Sequence, residues 1–145
     1  MIGTISANQV ININDGNTNF KLEQISQDIL NVNVTIGDIT TSSIMTSAGE
    51  FVRLNLSNYH LSRDEGNPEL PEIHNLIEIP QDAEPRIELI VHEYKDYVLS
   101  DYDINSQIYP AQPSLSKSQN PEDIAFVINE NTYLKNKMLE KPIVQ

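Results

Sequence analysis

Leu30-Asn31-Val32-Asn33-Val34-Thr35-Ile36 carries an apolar side chain at every second residue. Successive side chains of an extended chain point to opposite faces, so this period of two predicts a half-buried β-strand. Gly37-Asp38 ends it with residues that favour turns. Val52, Leu54 and Leu56 repeat the pattern around Arg53 and Asn55. Upstream, Val10-Ile11-Asn12-Ile13 and Phe20-Lys21-Leu22 flank Asn14-Asp15-Gly16-Asn17. Asp-Gly suits the positive φ of a tight turn, so a hairpin is expected between these two runs.

Downstream the composition changes. All eight prolines lie at or after Pro68, whereas residues 1–67 are rich in Asn, Ser and Thr. Ile73 to Ile79 reads as a strand closed by Pro80. Ile87, Leu89 and Val91 alternate with Glu88, Ile90 and His92. Apolar groups on both faces suggest a central strand there. Tyr94–Leu99 and Ile124–Ile128 are further strand candidates, and Glu130–Leu139 is the best helical segment. Many short strands with turns between them predict an all-β chain: an antiparallel β-sandwich or an open, barrel-like sandwich.

The chain of 145 residues is long enough for one domain with a core of its own. Nine basic residues against 21 acidic ones leave a net charge of −12. Such a surface repels a phosphate backbone, which disfavours nucleic acid and suits either solubility or a basic protein partner. No apolar run approaches the ~18 residues of a membrane helix. Cysteine is absent, so disulfides, thiolate metal sites and a cysteine nucleophile are excluded on this chain. Met1-Ile2-Gly3-Thr4-Ile5-Ser6 has neither the basic start nor the apolar stretch of a signal peptide.

Few residue constellations suggest chemistry. His60, His74 and His92 lack the spacing that sets two metal ligands on one helix face, and no metal or other cofactor is expected. Asp96, Asp101 and Asp103 lack the glycine of a calcium loop and read as a solvated turn. Asn33-Val34-Thr35 and Asn55-Leu56-Ser57 fit the glycosylation pattern but lie inside predicted strands. No G-x-S-x-G elbow or phosphate-binding glycine loop is present, so no catalytic residue is assigned.

One segment stands out. Tyr109-Pro110-Ala111-Gln112-Pro113-Ser114-Leu115-Ser116-Lys117-Ser118-Gln119-Asn120-Pro121 places a single lysine among small polar residues and three prolines. Proline favours extended backbone with few hydrogen bonds. Peptidase clefts bind extended backbone with one side chain in a specificity pocket, so the lone lysine reads either as an ordinary exposed loop lysine, which composition alone favours, or as bait.

Four stretches in order resemble the prodomains of gingipain-type cysteine peptidases. They are Gly66-Asn67-Pro68-Glu69-Leu70-Pro71; Leu76-Ile77-Glu78-Ile79-Pro80 with Ala83; Pro110 to Ser118; and Ala125-Phe126-Val127-Ile128-Asn129 with Tyr133. The likeness runs from Gly49 to about Tyr133, with residues 1–48 a loosely matching, strand-rich lead-in to a single prodomain over residues 1–145. Ala125 and Ile128 depart from the residues usual in the family. Because family prodomains continue with further strands, the resemblance implies a truncated, processed or shortened piece.

The resemblance further implies a β-sandwich that covers the catalytic domain of its cognate cysteine peptidase. Such a domain keeps the zymogen latent, assists its folding, and is cut away outside the cell. It implies export through the periplasm to the cell surface or beyond by type IX secretion. The inhibitory loop would comprise Pro113, Ser114, Leu115, Ser116, Lys117 and Ser118, with Lys117 in the primary specificity pocket. The domain is expected to be a monomer with no activity of its own. The competing expectation is a non-inhibitory β-sandwich module, an adhesion or spacer domain of a bacterial surface protein.

Overall fold

The computed structural model describes residues 9–13, 17–90 and 95–133. Its elements are β1 (Val10–Ile11), β2 (Asn19–Ser26), β3 (Ile29–Thr35), β4 (Ile39–Thr46), β5 (Gly49–Leu56), β6 (His60–Leu61), β7 (Pro71–Glu72), β8 (Gln107–Ile108) and one helical turn, α1 (Glu130–Tyr133). Short 3₁₀ turns occupy Leu99–Tyr102 and Pro121–Asp123. The fold is all-β, as the alternation predicts. No helix among the described residues is long and apolar enough to cross a membrane.

The central unit is a four-stranded sheet in the order β1-β4-β5-β8. Strands β4 and β5 form an antiparallel hairpin from Ile39↔Leu56 to Thr46↔Gly49. A short parallel pairing, Phe51↔Gln107 and Val52↔Ile108, adds β8 to the far edge of β5. On the other side β1 pairs with β4. The buried Thr41 reinforces that seam, its N–H donating to the Gln9 carbonyl at 2.8 Å.

The Val52–Leu56 alternation does what a half-buried strand should. Val52, Leu54 and Leu56 are all buried, and Phe51 is buried as well. Ile11, Ile104, Pro110 and Ala111 complete the small core around them. The β4–β5 turn is Ser47-Ala48, after which Gly49 has φ +120°, a value that L side chains rarely adopt.

Strand β3 forms where the Leu30–Ile36 alternation places it, and it pairs with β2 along nearly its whole length. However, it is not half-buried. Leu30, Val32 and Val34 retain 40%, 40% and 42% of their exposure. The register sets Phe20 opposite Val34 and Leu22 opposite Val32, so one face of this ribbon is apolar. The opposite face carries Lys21, Glu23, Asn31 and Asn33. At its base, Gly37 N–H donates to Thr18 Oγ1 at 2.9 Å.

Other expectations change. The runs 10–13 and 20–22 do not form a hairpin together, because β1 joins β4 while β2 turns back into β3 at Gln27-Asp28. The Asn14-Asp15-Gly16 part of the expected turn lies outside the described residues. Residues 73–80 and 83–90 are irregular, and Leu76, Ile87, Leu89 and Ile90 are exposed. A strand needs a hydrogen-bonding neighbour as well as an alternating pattern, and no described residue pairs with these segments. Val91 to Tyr94 lie outside the described residues. Residues 95–98 are irregular and Leu99 opens a 3₁₀ turn. Ile124–Ile128 also lacks strand pairing. The expected helix is present over Glu130–Tyr133, and the rest of it falls outside the described residues.

Candidate functional site

The candidate site is built on the turn Gly66-Asn67-Pro68. Gly66 is buried at φ +79°. A Cβ there would come within 3.1 Å of both Asn129 N and Val127 Cγ1, so glycine is required for backbone conformation and for space. The closeness lets the turn bind two separate segments. Gly66 N–H donates to Ala111 O at 2.7 Å, and Ala111 N–H donates to Asn67 O at 2.9 Å. From the other side, Asn129 N–H donates to Gly66 O at 2.8 Å.

These bonds fasten both roots of the loop running from Pro113 to about Ile124. Side chains add further ties. The Gln112 carboxamide acts as an extra bridge: Nε2 donates to Val127 O at 2.7 Å, while Oε1 accepts from Val127 N–H at 3.0 Å. Asn67 Oδ1 accepts from Asn129 Nδ2 at 3.0 Å and from Thr132 Oγ1 at 2.9 Å. Pro68 and Pro110 form an antiparallel bridge, and Tyr109 N–H donates to Val52 O at 2.8 Å, which connects the roots to β5.

Beneath the roots lies an aromatic cluster. Phe51 meets Phe126 in a stacked contact at 5.4 Å and Tyr109 edge-on at 6.1 Å. Arg53 pairs with Glu69 at 2.8 Å and lies over the Tyr109 ring at 5.0 Å. Tyr133 donates its hydroxyl to Ile108 O at 2.6 Å. Burial, and then the nearby Glu69 carboxylate, pushes the Tyr133 pKa up to about 12.

Above these roots the loop emerges into solvent. Pro113 is half-buried, whereas Ser114, Leu115, Ser116, Lys117 and Ser118 are exposed. The backbone is not extended throughout, as the prolines had suggested. Gln119 N–H donates to Ser116 O at 3.0 Å, closing a tight turn with Lys117 and Ser118 at its centre. Ser116 N–H also donates to Gln119 Oε1 at 2.9 Å. Pro113 and Pro121 lie outside this turn and so do not straighten it. Asn120 caps the following 3₁₀ turn, its side chain accepting from Glu122 N–H at 3.5 Å. Among the described residues Lys117 has no carboxylate partner.

Sequence reasoning located the loop but missed the residues that hold it. Gln112 and Gln119 act through side-chain amides on distant or turned backbone, and the Asn67 amide on the Asn129 and Thr132 side chains, and no local spacing announces such contacts. Gly66 and Asn67 were visible only as part of a Gly-x-Pro pattern. The other candidates do not assemble into a site. His74 pairs with Glu72 at 2.7 Å, and His60 lines the same open groove. His92 lies outside the described residues. No group of three or more potential metal ligands is found among the described residues. Asp103 takes φ 59° at the end of the Leu99–Tyr102 turn, which agrees with the turn reading of the aspartates.

The Propeptide_C25 family pattern matches residues 13–145. The chain belongs to the Propeptide_C25 family. It is 26% identical over 111 residues to Lys-gingipain of Porphyromonas gingivalis, covering 77% of this chain and 6% of that protein. It is 23% identical over 144 residues to Lys-gingipain HG66 of Porphyromonas gingivalis, covering 99% of this chain and 8% of that protein. The chain thus spans less than a tenth of the length of these relatives. A solved structure concerned with the zymogenic latency of gingipain K from Porphyromonas gingivalis shares its fold, with a TM-score of 0.81 at 23% identity. The match covers 96% of this chain and 76% of that one. The Propeptide_C25 match takes in the lead-in from residue 13 onward, as well as the loop and both its roots.

Proposed function

We propose that this domain keeps a gingipain-type cysteine peptidase latent by covering its active site, with the loop Pro113–Ser118 in the cleft and Lys117 in the primary specificity pocket. The observation that carries the reading is the placement of Lys117. It stands at the tip of an exposed turn whose two roots are bonded to the same Gly66–Asn67 backbone. An anchored root lowers the ordering cost of binding, and an exposed ammonium on a long stem suits a carboxylate at the bottom of a pocket. A charge of −12 also suits a basic partner surface.

The proposed domain works as a monomer on its cognate peptidase, assists the folding of that peptidase, and is removed after export through the periplasm to the cell surface or beyond. It has no hydrolytic activity of its own.

The test uses the catalytic domain of Lys-gingipain and a lysine-containing chromogenic peptide. Wild-type domain should inhibit turnover. Lys117→Ala should weaken inhibition by more than tenfold, since truncating a desolvated charged contact costs about 2–5 kcal/mol. Lys117→Arg should fall between the two, and all three proteins should melt alike because the lysine is exposed. Equal inhibition by Lys117→Ala and wild type, or none by wild type, would sink the reading.

A further inference from the structure

We infer that Gln119 is a positioning residue that keeps the Lys117–Ser118 peptide bond from being cut while Lys117 is presented. The inference rests on the reading of Lys117 as the pocket residue. It addresses what that reading leaves open: a lysine offered to a lysine-preferring peptidase is ordinarily a substrate.

Peptidases take the backbone on both sides of the scissile bond in extended form, because the cleft pairs with it as a neighbouring strand would. Here the bond after Lys117 is the central peptide of a closed four-residue turn, Ser116-Lys117-Ser118-Gln119. Two hydrogen bonds join the turn's ends in opposite directions. The backbone bond runs from Gln119 N–H to Ser116 O at 3.0 Å. The second runs from Ser116 N–H to Gln119 Oε1 at 2.9 Å, so the side-chain carboxamide supplies the acceptor that a paired strand would supply. The hydroxyls of Ser116 and Ser118 lie 3.2 Å apart across the same turn.

The turn carries no strain that would favour its opening. Among the described residues, positive φ outside glycine occurs only at Asn58 and Asp103, so Lys117 and Ser118 hold ordinary negative φ. With its bond from residue four to residue one, the turn is of the common type that accepts most side chains. The Lys117 side chain can therefore project outward while the backbone that follows curls back. Extending residues 116–119 into a cleft would break both bonds at once.

Cleavage would hydrolyse the Lys117–Ser118 amide. The peptidase thiolate attacks the Lys117 carbonyl carbon, the C–N bond breaks, the Ser118 nitrogen leaves as a protonated amine, and water releases the thioester as a Lys117 carboxylate. The turn keeps that carbonyl out of line for the first step.

The experiment incubates the whole domain with the Lys-gingipain catalytic domain and follows cleavage after Lys117 by mass spectrometry, alongside inhibition and melting temperature. Gln119→Ala should inhibit at first to within about threefold of wild type. Its inhibition should then fade as the Lys117–Ser118 bond is cut at least tenfold faster. Gln119→Glu keeps an acceptor for Ser116 N–H and should resist as wild type does. Because residue 119 is exposed, the melting temperatures should agree, which separates positioning from a folding defect. Equal cleavage of Gln119→Ala and wild type would overturn the inference, as would cleavage of Gln119→Glu at the alanine rate. The two readings fail separately. If Lys117→Ala loses inhibition while Gln119→Ala still resists cutting, only the role of Gln119 falls. If Lys117→Ala inhibits normally, the pocket assignment itself falls.

Discussion

The β4–β5 and β2–β3 hairpins are built from similar material and end in opposite environments. Each joins two antiparallel strands of seven or eight residues through a two-residue turn. Each contains one strand with apolar residues at alternate positions. Yet Val52 and Leu56 of β5 keep 3% and 6% of their exposure, while Val32 and Val34 of β3 keep 40% and 42%. The difference lies in what returns to cover each face. Ile104, Pro110 and Ala111, far along the chain, complete the core around β5, and Phe126 stacks on Phe51. The β2–β3 ribbon is held to itself by its ladder and at its base by Thr18. Alternation therefore specifies a strand, and coverage decides whether that strand carries stability.

The largest expected effect sits on the covered hairpin. Phe51→Ala removes the ring that joins Tyr109 and Phe126 and should cost about 3–5 kcal/mol, read from denaturant midpoints at unchanged slope. A loss no larger than that of a ribbon residue would break the comparison.

Next is Gly66→Ala, which brings a methyl group to 3.1 Å from Asn129 N and Val127 Cγ1 at a φ that disfavours side chains. A destabilisation of about 1–3 kcal/mol is expected. The same substitution should raise amide exchange at Ala111 and Asn129, whose N–H groups bond to this turn. Unchanged exchange there would dissociate the loop roots from the covered hairpin.

Tyr133 sharpens the comparison through pH. Its folded-state pKa is raised from 10.0 to about 12, so folding favours the neutral phenol. That contribution is present in full below pH 10 and is lost as pH rises towards about 12. Since the residue is only half-buried, solvent screening limits the loss to about 1 kcal/mol. The check is an ultraviolet titration of wild type against Tyr133→Phe, whose difference should show a single midpoint near 12. A midpoint near 10 would mean that the phenol is not buried beside Glu69 as the fold places it.

The smallest effect belongs to the ribbon. Val32→Ala should cost less than about 1 kcal/mol, because much of its side chain already meets water. A cost comparable to that of Phe51→Ala would mean that the apolar face of the ribbon is covered in solution after all.

The loop shows the same division at finer scale. Its prolines and lone lysine mark it out in the sequence, whereas the closed turn at Ser116–Gln119 and the amide bridge from Gln112 to Val127 do not. Proline constrains its own φ and the residue before it, and its influence does not reach four residues along to Lys117. Side-chain amides can bond to any backbone group that the fold brings near, so their partners follow from the fold rather than from spacing.

By itself the sequence determined the all-β class, strands at 30–35 and 52–56, the absence of thiol chemistry, and the segment that carries Lys117. These depend on side-chain type and on a period of two, which are local properties. Only the tertiary structure decided that β1 joins β4 rather than β2, that β3 stays exposed while β5 is buried, and that 73–80 and 83–90 are irregular. It also decided that Gly66 and Asn67 hold both roots of the loop. Each of these depends on which distant segment supplies hydrogen bonds and apolar cover, and the alternation of a strand is the same whichever partner arrives.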